Sequence, residues 1–348
     1  MMGPATIMQG IARLAEGIPD EVQRLAGWAW GLLPFDAGSR LHWTGLAAFF
    51  LLGAGAWVMA RRQGHAEGKT GLADFLIPRH IYFSQSSLVD VKVYFANRLL
   101  APVTIAAGQG LTIAIAATVA GLAAPLIHSD AGMPPSLSTI IAMTILVTIA
   151  SDFAVYWTHR LHHEHPILWP FHKVHHSAEH LTPLTVFRKH PVYDMISAII
   201  RGACVGPLLG LIFAGFGVVN FYTILGVSLV PVFFNMVGAN FRHSHIWIDF
   251  GPAADRIFIS PAQHQIHHSC APEHHDRNYG EIFALWDWMF GTLYIPEGRE
   301  TLVFGVADAS GVREAQVHTS LASAYMVPFA EAAEAMRARG ASGGVMAE

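Results

Sequence analysis

The chain has 348 residues, 53% of them hydrophobic and only 13% charged, with a mean hydropathy of +0.39. Soluble domains carry about 25% charged residues, so this composition argues for a membrane protein. The formal net charge of −4 provides no field for nucleic acid and no basic-aromatic stretch suggests one, while Cys204 and Cys270 have neither a disulfide framework nor zinc-finger spacing.

Residues 1–41 read as an N-terminal amphipathic segment. Ile11, Leu14, Ile18, Val22, Leu25, Trp28 and Leu32 recur at helical spacing, and no basic region precedes an apolar run as it would in a signal peptide. Four stretches then lack Asp, Glu, Lys and Arg: 42–60, 99–129, 131–151 and 202–241. A bilayer crossing needs about 20 apolar residues. The last stretch is long enough for two helices with a turn near 215–220. Five spans are therefore expected, at 43–60, 99–125, 136–157, 196–214 and 220–239. Pro102 and Gly108-Gln109-Gly110 leave a re-entrant or surface segment open at 99–125.

Residues 42–130 thus hold the first spans and a basic loop, 61–98, with Arg61, Arg62, Lys69, Arg79, Lys92 and Arg98. The segments after 157 and after 239 are also basic, and the positive-inside rule places all three in the cytoplasm. The expected fold is all-α, a multi-pass membrane bundle with a cytosolic histidine-rich helical cap. Residues 298–348 form a tail with an Ala-rich helix, its last stretch, A-S-G-G-V, read as disordered.

Residues 159–180 read HRLHHEHPILWPFHKVHHSAEH, and eight of these 22 residues are histidine. The clusters are H-R-L-H-H, H-K-V-H-H, H-S-H and H-Q-I-H-H. On a helix, residues three and four apart share a face, while successive residues diverge by about 100°. His159 and His163 can therefore grip one ion from consecutive turns. His175 and His176 can serve two different ions. His159, His163, His172, His175, His176, His243, His264, His267 and His268 make nine nitrogens, enough for two metals with four or five ligands each. Imidazole alone does not choose among zinc, copper, iron and nickel. His162, His165, His180, His245 and His275 stand beside these positions, as supports behind the ligands or as interfacial side chains.

The ordered set D-x-x-x-Y-W-x-H-R-x-x-H (152–163), F-H-K-V-H-H-S, R-x-H-P, S-P-A-Q-H-Q-I-H-H-S, H-H-D-R-N-Y-G and L-W-D-W-M-F-G-T resembles the fatty acid hydroxylase/sterol desaturase superfamily. The resemblance covers about residues 75–297, with the catalytic domain at 131–297. It implies a membrane-embedded non-haem enzyme with two iron ions, in which the nine histidines are iron ligands. O2 is the implied co-substrate, and the product is a hydroxylated or desaturated lipid such as a fatty acyl chain or sterol-like lipid. His190 and His274 match positions that line such sites. Where many relatives have H-S-N this chain has His243-Ser244-His245, which leaves open which histidine coordinates.

Asp152 and Asp276 are placed to accept N–H bonds from ligating histidines, or else to cap helices. Tyr156, Trp157, Trp169, Trp286 and Trp288 suit an aromatic belt at a membrane surface or the wall of a substrate channel. No Rossmann, flavin, haem or ferredoxin motif is present, so electrons are expected from a separate donor protein. The competing readings are a zinc-dependent membrane hydrolase, which would want a carboxylate base among the ligands, and a metal-binding or transport protein, which would want ligands within the spans.

Overall fold

The computed structural model describes residues 41, 43–65, 69–127, 135–216 and 238–343. The expected amphipathic segment at 8–33 and nearly all of the expected span at 220–239 lie outside them. The described residues are helical, with isolated β-bridges and no strand. In chain order the helices are α1 (Trp43–Arg62), α2 (Leu72–Leu76), α3 (Arg79–Tyr82), α4 (Gln85–Ala123), α5 (Leu137–Glu164), α6 (Trp169–His176), α7 (Pro191–Phe216), α8 (Asn240–Arg242), α9 (Pro261–His267), α10 (Leu285–Phe290) and α11 (Leu321–Gly343).

Among the described residues, α4, α5 and α7 are long and apolar enough to cross a membrane. Their outward faces carry bare aliphatic side chains such as Val103, Ile113, Ile145 and Ile199. Water would make that burial pattern costly, whereas lipid makes it neutral. The chain is an integral membrane protein.

The re-entrant alternative at 99–125 does not hold. The segment is the second part of one 39-residue helix that runs through Pro102 without interruption. At about 1.5 Å per residue it is about 58 Å long, roughly twice a bilayer's hydrocarbon thickness. Its first turns therefore project beyond the apolar layer, and part of the expected basic loop 61–98 is this projection.

The glycines of α4 and α7 have a packing role. A Cβ at Gly108 would sit 2.7 Å from that of Ala198, and one at Gly210 would sit 2.6 Å from the Ala116 carbonyl oxygen. Gly202, Gly206 and Gly210 recur every four residues and let the α4 and α7 backbones approach closely, the packing device available where lipid surrounds both helices. Helix α5 packs on the same α7.

Above this bundle two small cores hold the cap. Phe49 of α1 stacks on Phe241 at 4.9 Å, with Phe75, Leu76 and Ile246 around them. Val89 and Val93 of α4 meet Val174 of α6 and Ala324 of α11. The tail is thus part of the cap, and its helix continues through Ala341 to Gly343, into the stretch read as disordered.

One buried ion pair ties these parts together. Arg188 and Asp90 are both fully buried, with Nη1 3.1 Å from Oδ1. Arg188 also donates to the Val174 carbonyl, the Ser177 hydroxyl and the His318 carbonyl, joining α4, α6 and the tail at one side chain.

Candidate metal centre

The nine histidines named from the sequence clusters converge into two groups at the cap end of the bundle. His159, His163, His172, His176 and His267 form one, and His175, His243, His264 and His268 the other. Within each group the potential ligand atoms all lie within 4.8 Å of one another. Neither group contains a carboxylate or a thiol. The helical repeat explains the partition. In α6 the i, i+4 pair His172 and His176 faces the first group, while His175, about 100° round from His176, faces the second. In α9 and its C-cap the assignment is inverted: His264 and His268 face the second group and His267 the first.

Capping and joints aim these short helices. Helix α9 starts in a capping box, with the Ser260 hydroxyl accepting from Gln263 N–H while the Gln263 amide oxygen accepts from Ser260 N–H, and Pro261 stands in the first turn. Pro170 similarly opens α6.

Backbone carbonyls set the tautomers. His159 Nδ1 donates to the Tyr279 carbonyl at 2.8 Å, His175 Nδ1 to that of Thr185 at 3.1 Å, and His267 Nδ1 to that of Arg277 at 2.7 Å. A carbonyl oxygen can only accept, so each of these rings carries its proton on Nδ1 and presents a bare Nε2 to its group. Nε2 of His163 and of His176 are 3.1 Å apart, and the same distance separates His243 from both His175 and His264. Two ligands at right angles, each about 2.1 Å from one ion, would be about 3 Å apart.

The residues fit metal ions on a second count. His159 Nε2, His267 Nε2 and both ring nitrogens of His172 and of His268 are buried with no hydrogen-bond partner among the described residues. Each such atom costs about 1–3 kcal/mol when nothing satisfies it. Burial first, and then neighbouring positive charge, holds His172, His175, His176, His264 and His268 well below the ordinary histidine range, and burial lowers His267 to about 4. They are therefore neutral at pH 7, the form that ligates.

The surrounding residues depart from expectation in several places. Asp152 does not orient a histidine. Its carboxylate accepts from the N–H of Ile282 and Phe283 and from Trp286 Nε1, strapping the 282–286 segment to α5. Asp276 accepts the Tyr279 hydroxyl at 2.9 Å, and its Oδ1 lies 3.8 Å from His163 Nδ1, beyond hydrogen-bond reach. His245 points away, its Nε2 donating to the Phe75 carbonyl at 2.6 Å, so His243 is the one of the two aimed into a group. His162 donates to the Thr158 carbonyl, His190 to that of Tyr325, and His274 Nε2 meets Glu300 at 2.9 Å. None of these three belongs to either group. Tyr156 is fully buried with its hydroxyl 3.1 Å from that of Thr292, and Trp169 packs on His163 and His176, so neither belongs to a surface belt.

Spacing alone did not point to the residues that aim the histidines. Asp276 and Asn278 both have left-handed backbone, φ 57° and 55°, a conformation that Asp and Asn tolerate better than most residues. That alternation in D-R-N-Y brings the carbonyls of Arg277 and Tyr279 onto His267 and His159. Asn278 is locked by bonds to Gln263 and Tyr294, and the buried Asp287 carboxylate receives the N–H of Tyr279 and Gly280 at 2.8 Å. Tyr193 stacks on His172 at 4.7 Å. Thr185 donates to Asp90 at 2.6 Å, which fixes the loop whose carbonyl holds His175. The signal available in sequence was Asp and Asn two apart before Tyr-Gly, a turn signature without an obvious target.

A cavity of about 360 Å³ reaches the five-histidine group, lined by His163, His176, His267, Trp169, Glu164 and Asp276 among others.

Two carboxylate-free histidine groups, each able to hold a metal ion, at the end of apolar helices are the arrangement of a histidine-box membrane protein. Residues 144–292 match the fatty acid hydroxylase family, which places that stretch in the fatty acid hydroxylase/sterol desaturase superfamily. It is 32% identical over 169 residues to alkylglycerol monooxygenase of Danio rerio, covering 49% of this chain and 34% of the relative. It is 30% identical over 204 residues to ornithine lipid hydroxylase OlsE of Rhizobium tropici, covering 59% and 57%. It is 26% identical over 179 residues to the Delta(7)-sterol 5(6)-desaturase erg3C of Aspergillus fumigatus, covering 49% and 52%. The chain thus spans between about a third and three fifths of these relatives' lengths. No solved structure matches it significantly.

Proposed function

We propose that this protein is a di-iron, O2-dependent lipid oxygenase that hydroxylates a C–H bond, with its histidine clusters on the cytoplasmic side of a multi-pass bundle. The observation that carries the reading is the pairing of two all-imidazole groups, five and four strong, at the mouth of apolar helices. Hydroxylation is preferred to desaturation because an alkylglycerol monooxygenase and an ornithine lipid hydroxylase are among the relatives.

His159, His163, His172, His176 and His267 would hold one iron, and His175, His243, His264 and His268 the other. Bound iron supplies the redox chemistry by which O2 attacks an unactivated C–H bond. The chain's own work is orientation. Carbonyls of Tyr279, Thr185 and Arg277 hold three rings at fixed tautomer and angle. Tyr193 and Trp169 pack aromatic surface against the first group, on His172 and His163. The apolar helices bring an acyl or sterol-like substrate to the same end of the bundle. Electrons come from an external donor protein.

A zinc hydrolase would need a carboxylate to activate water, and the two that line the cavity, Glu164 and Asp276, stand outside the ligand groups.

The test combines metal analysis with lipid mass spectrometry. The purified chain is expected to hold about two irons. His172→Ala and His268→Ala should each lower iron toward about one and abolish turnover. Cells expressing the natural chain should accumulate a lipid heavier by one oxygen. Stoichiometric zinc that no anaerobic iron reconstitution replaces, with no lipid change, would overturn the reading.

A further inference from the structure

Helix α10 presents an apolar face that remains exposed among the described residues. Leu285, Trp288 and Met289, at i, i+3 and i+4, lie on one side of it and are 39, 68 and 59% exposed. Two exposed neighbours extend the patch. Ala284 N–H donates to the Ile257 carbonyl at 2.9 Å, and the Phe258 ring lies 5.8 Å from that of Phe283. Exposed apolar patches of this kind mark an interaction surface.

The level of this patch along α5 identifies its occupant. Asp152 binds Ile282, Phe283 and Trp286, Phe153 meets Trp286 at 5.0 Å, and Trp157 meets Phe290 at 5.1 Å. With a rise of about 1.5 Å per residue, Asp152 and Phe153 stand roughly 10 Å before His159, on the side of the helix's apolar run. Helix α10 is therefore strapped to the last turns of a membrane-crossing segment, which sets its exposed apolar side chains close to the level of that segment's apolar run.

We propose that α10, with Ile257 and Phe258, is a foot seated in the bilayer interface, its apolar face among lipid headgroups and upper acyl chains. The inner face of the same helix carries Asp287, which holds Tyr279, whose carbonyl orients His159. One six-residue element thus joins lipid contact to the histidine centre. The proposal rests on reading α5 as membrane-crossing.

The experiment uses the full chain in phosphatidylcholine vesicles, carrying Cys204→Ala and Cys270→Ala. An environment-sensitive NBD fluorophore is attached in turn at Met289→Cys, at Ile145→Cys on the exposed side of α5, and at Ala309→Cys in an exposed turn. At Met289 the fluorophore should be quenched by doxyl-labelled lipid and shielded from iodide, as at Ile145, with the reverse at Ala309. Iodide quenching at Met289 with lipid quenching at Ile145 would overturn the foot and leave the membrane reading standing. Iodide quenching at both would overturn both. A Met289 signal that changes when labelled chain is diluted with unlabelled chain would assign the patch to a second copy and overturn the foot. If the cysteine-free background does not fold, Trp288→Phe in the natural chain should remove part of the tryptophan quenching by doxyl lipid, and unchanged quenching would overturn the foot.

Discussion

At the scale of single residues, what separates a ligand from a bystander here is where its second nitrogen goes. His243 and His245 are two positions apart, yet one lies 3.1 Å from His175 and His264 while the other donates to Phe75. His243→Ala is expected to empty the four-histidine group. His245→Ala should keep both metals and lose only the bond to Phe75, at a cost of about 1 kcal/mol. Metal content and thermal unfolding of the two variants check this, and metal loss in His245→Ala alone would reverse the assignment. Eight of the nine ligand candidates were legible because i, i+3 and i+4 spacing is a property of the sequence, and His243, in H-S-H, came from its cluster and the family resemblance. The carbonyls that orient them were not, since every residue has one and only the folded chain selects Tyr279, Thr185 and Arg277.

At the scale of elements, α4 and α7 show how a composition signal can mislead. Gly108 and Gly110 beside Pro102 suggested a broken or re-entrant segment, because glycine and proline weaken helices in water. In lipid the same glycine serves close approach, and the partner small residues lie some 90 positions along the chain. Gly210→Ala places its methyl 2.6 Å from the Ala116 carbonyl, a backbone atom that cannot move aside alone. Overpacking of this kind costs about 1–3 kcal/mol. The variant should unfold at lower temperature in detergent, whereas Gly121→Ala, which meets nothing within 4 Å, should not.

At the scale of the whole molecule, two neutral imidazole groups buried in one cap make stability depend on pH. His267, near 6.5 unfolded and about 4 folded, binds fewer protons in the folded state between those values. Stability of the metal-stripped protein is then complete above about pH 6.5 and falls as pH drops toward 4, by on the order of 3 kcal/mol from His267 alone. His172, His175, His176, His264 and His268 shift in the same direction and add to it. Thermal melts of chelated protein across pH 4–8 measure the slope, and a flat profile would contradict neutral burial.

The sequence by itself determined the solvent of this protein and the chemistry of its site. Uncharged runs longer than about 20 residues need lipid, and repeated HxxHH on helices puts imidazoles on shared faces whatever the fold. Tertiary structure decided the rest. It sorted nine histidines into five and four, because α6 and α9 each present neighbouring ring directions to two centres and must be set face to face for those directions to meet. It turned Asp152 from a supposed histidine partner into a strap, because the donors that reach it come from about 130 residues later. It also brought the tail onto the cap through Arg188, since a fully buried guanidinium must find acceptors wherever the chain supplies them.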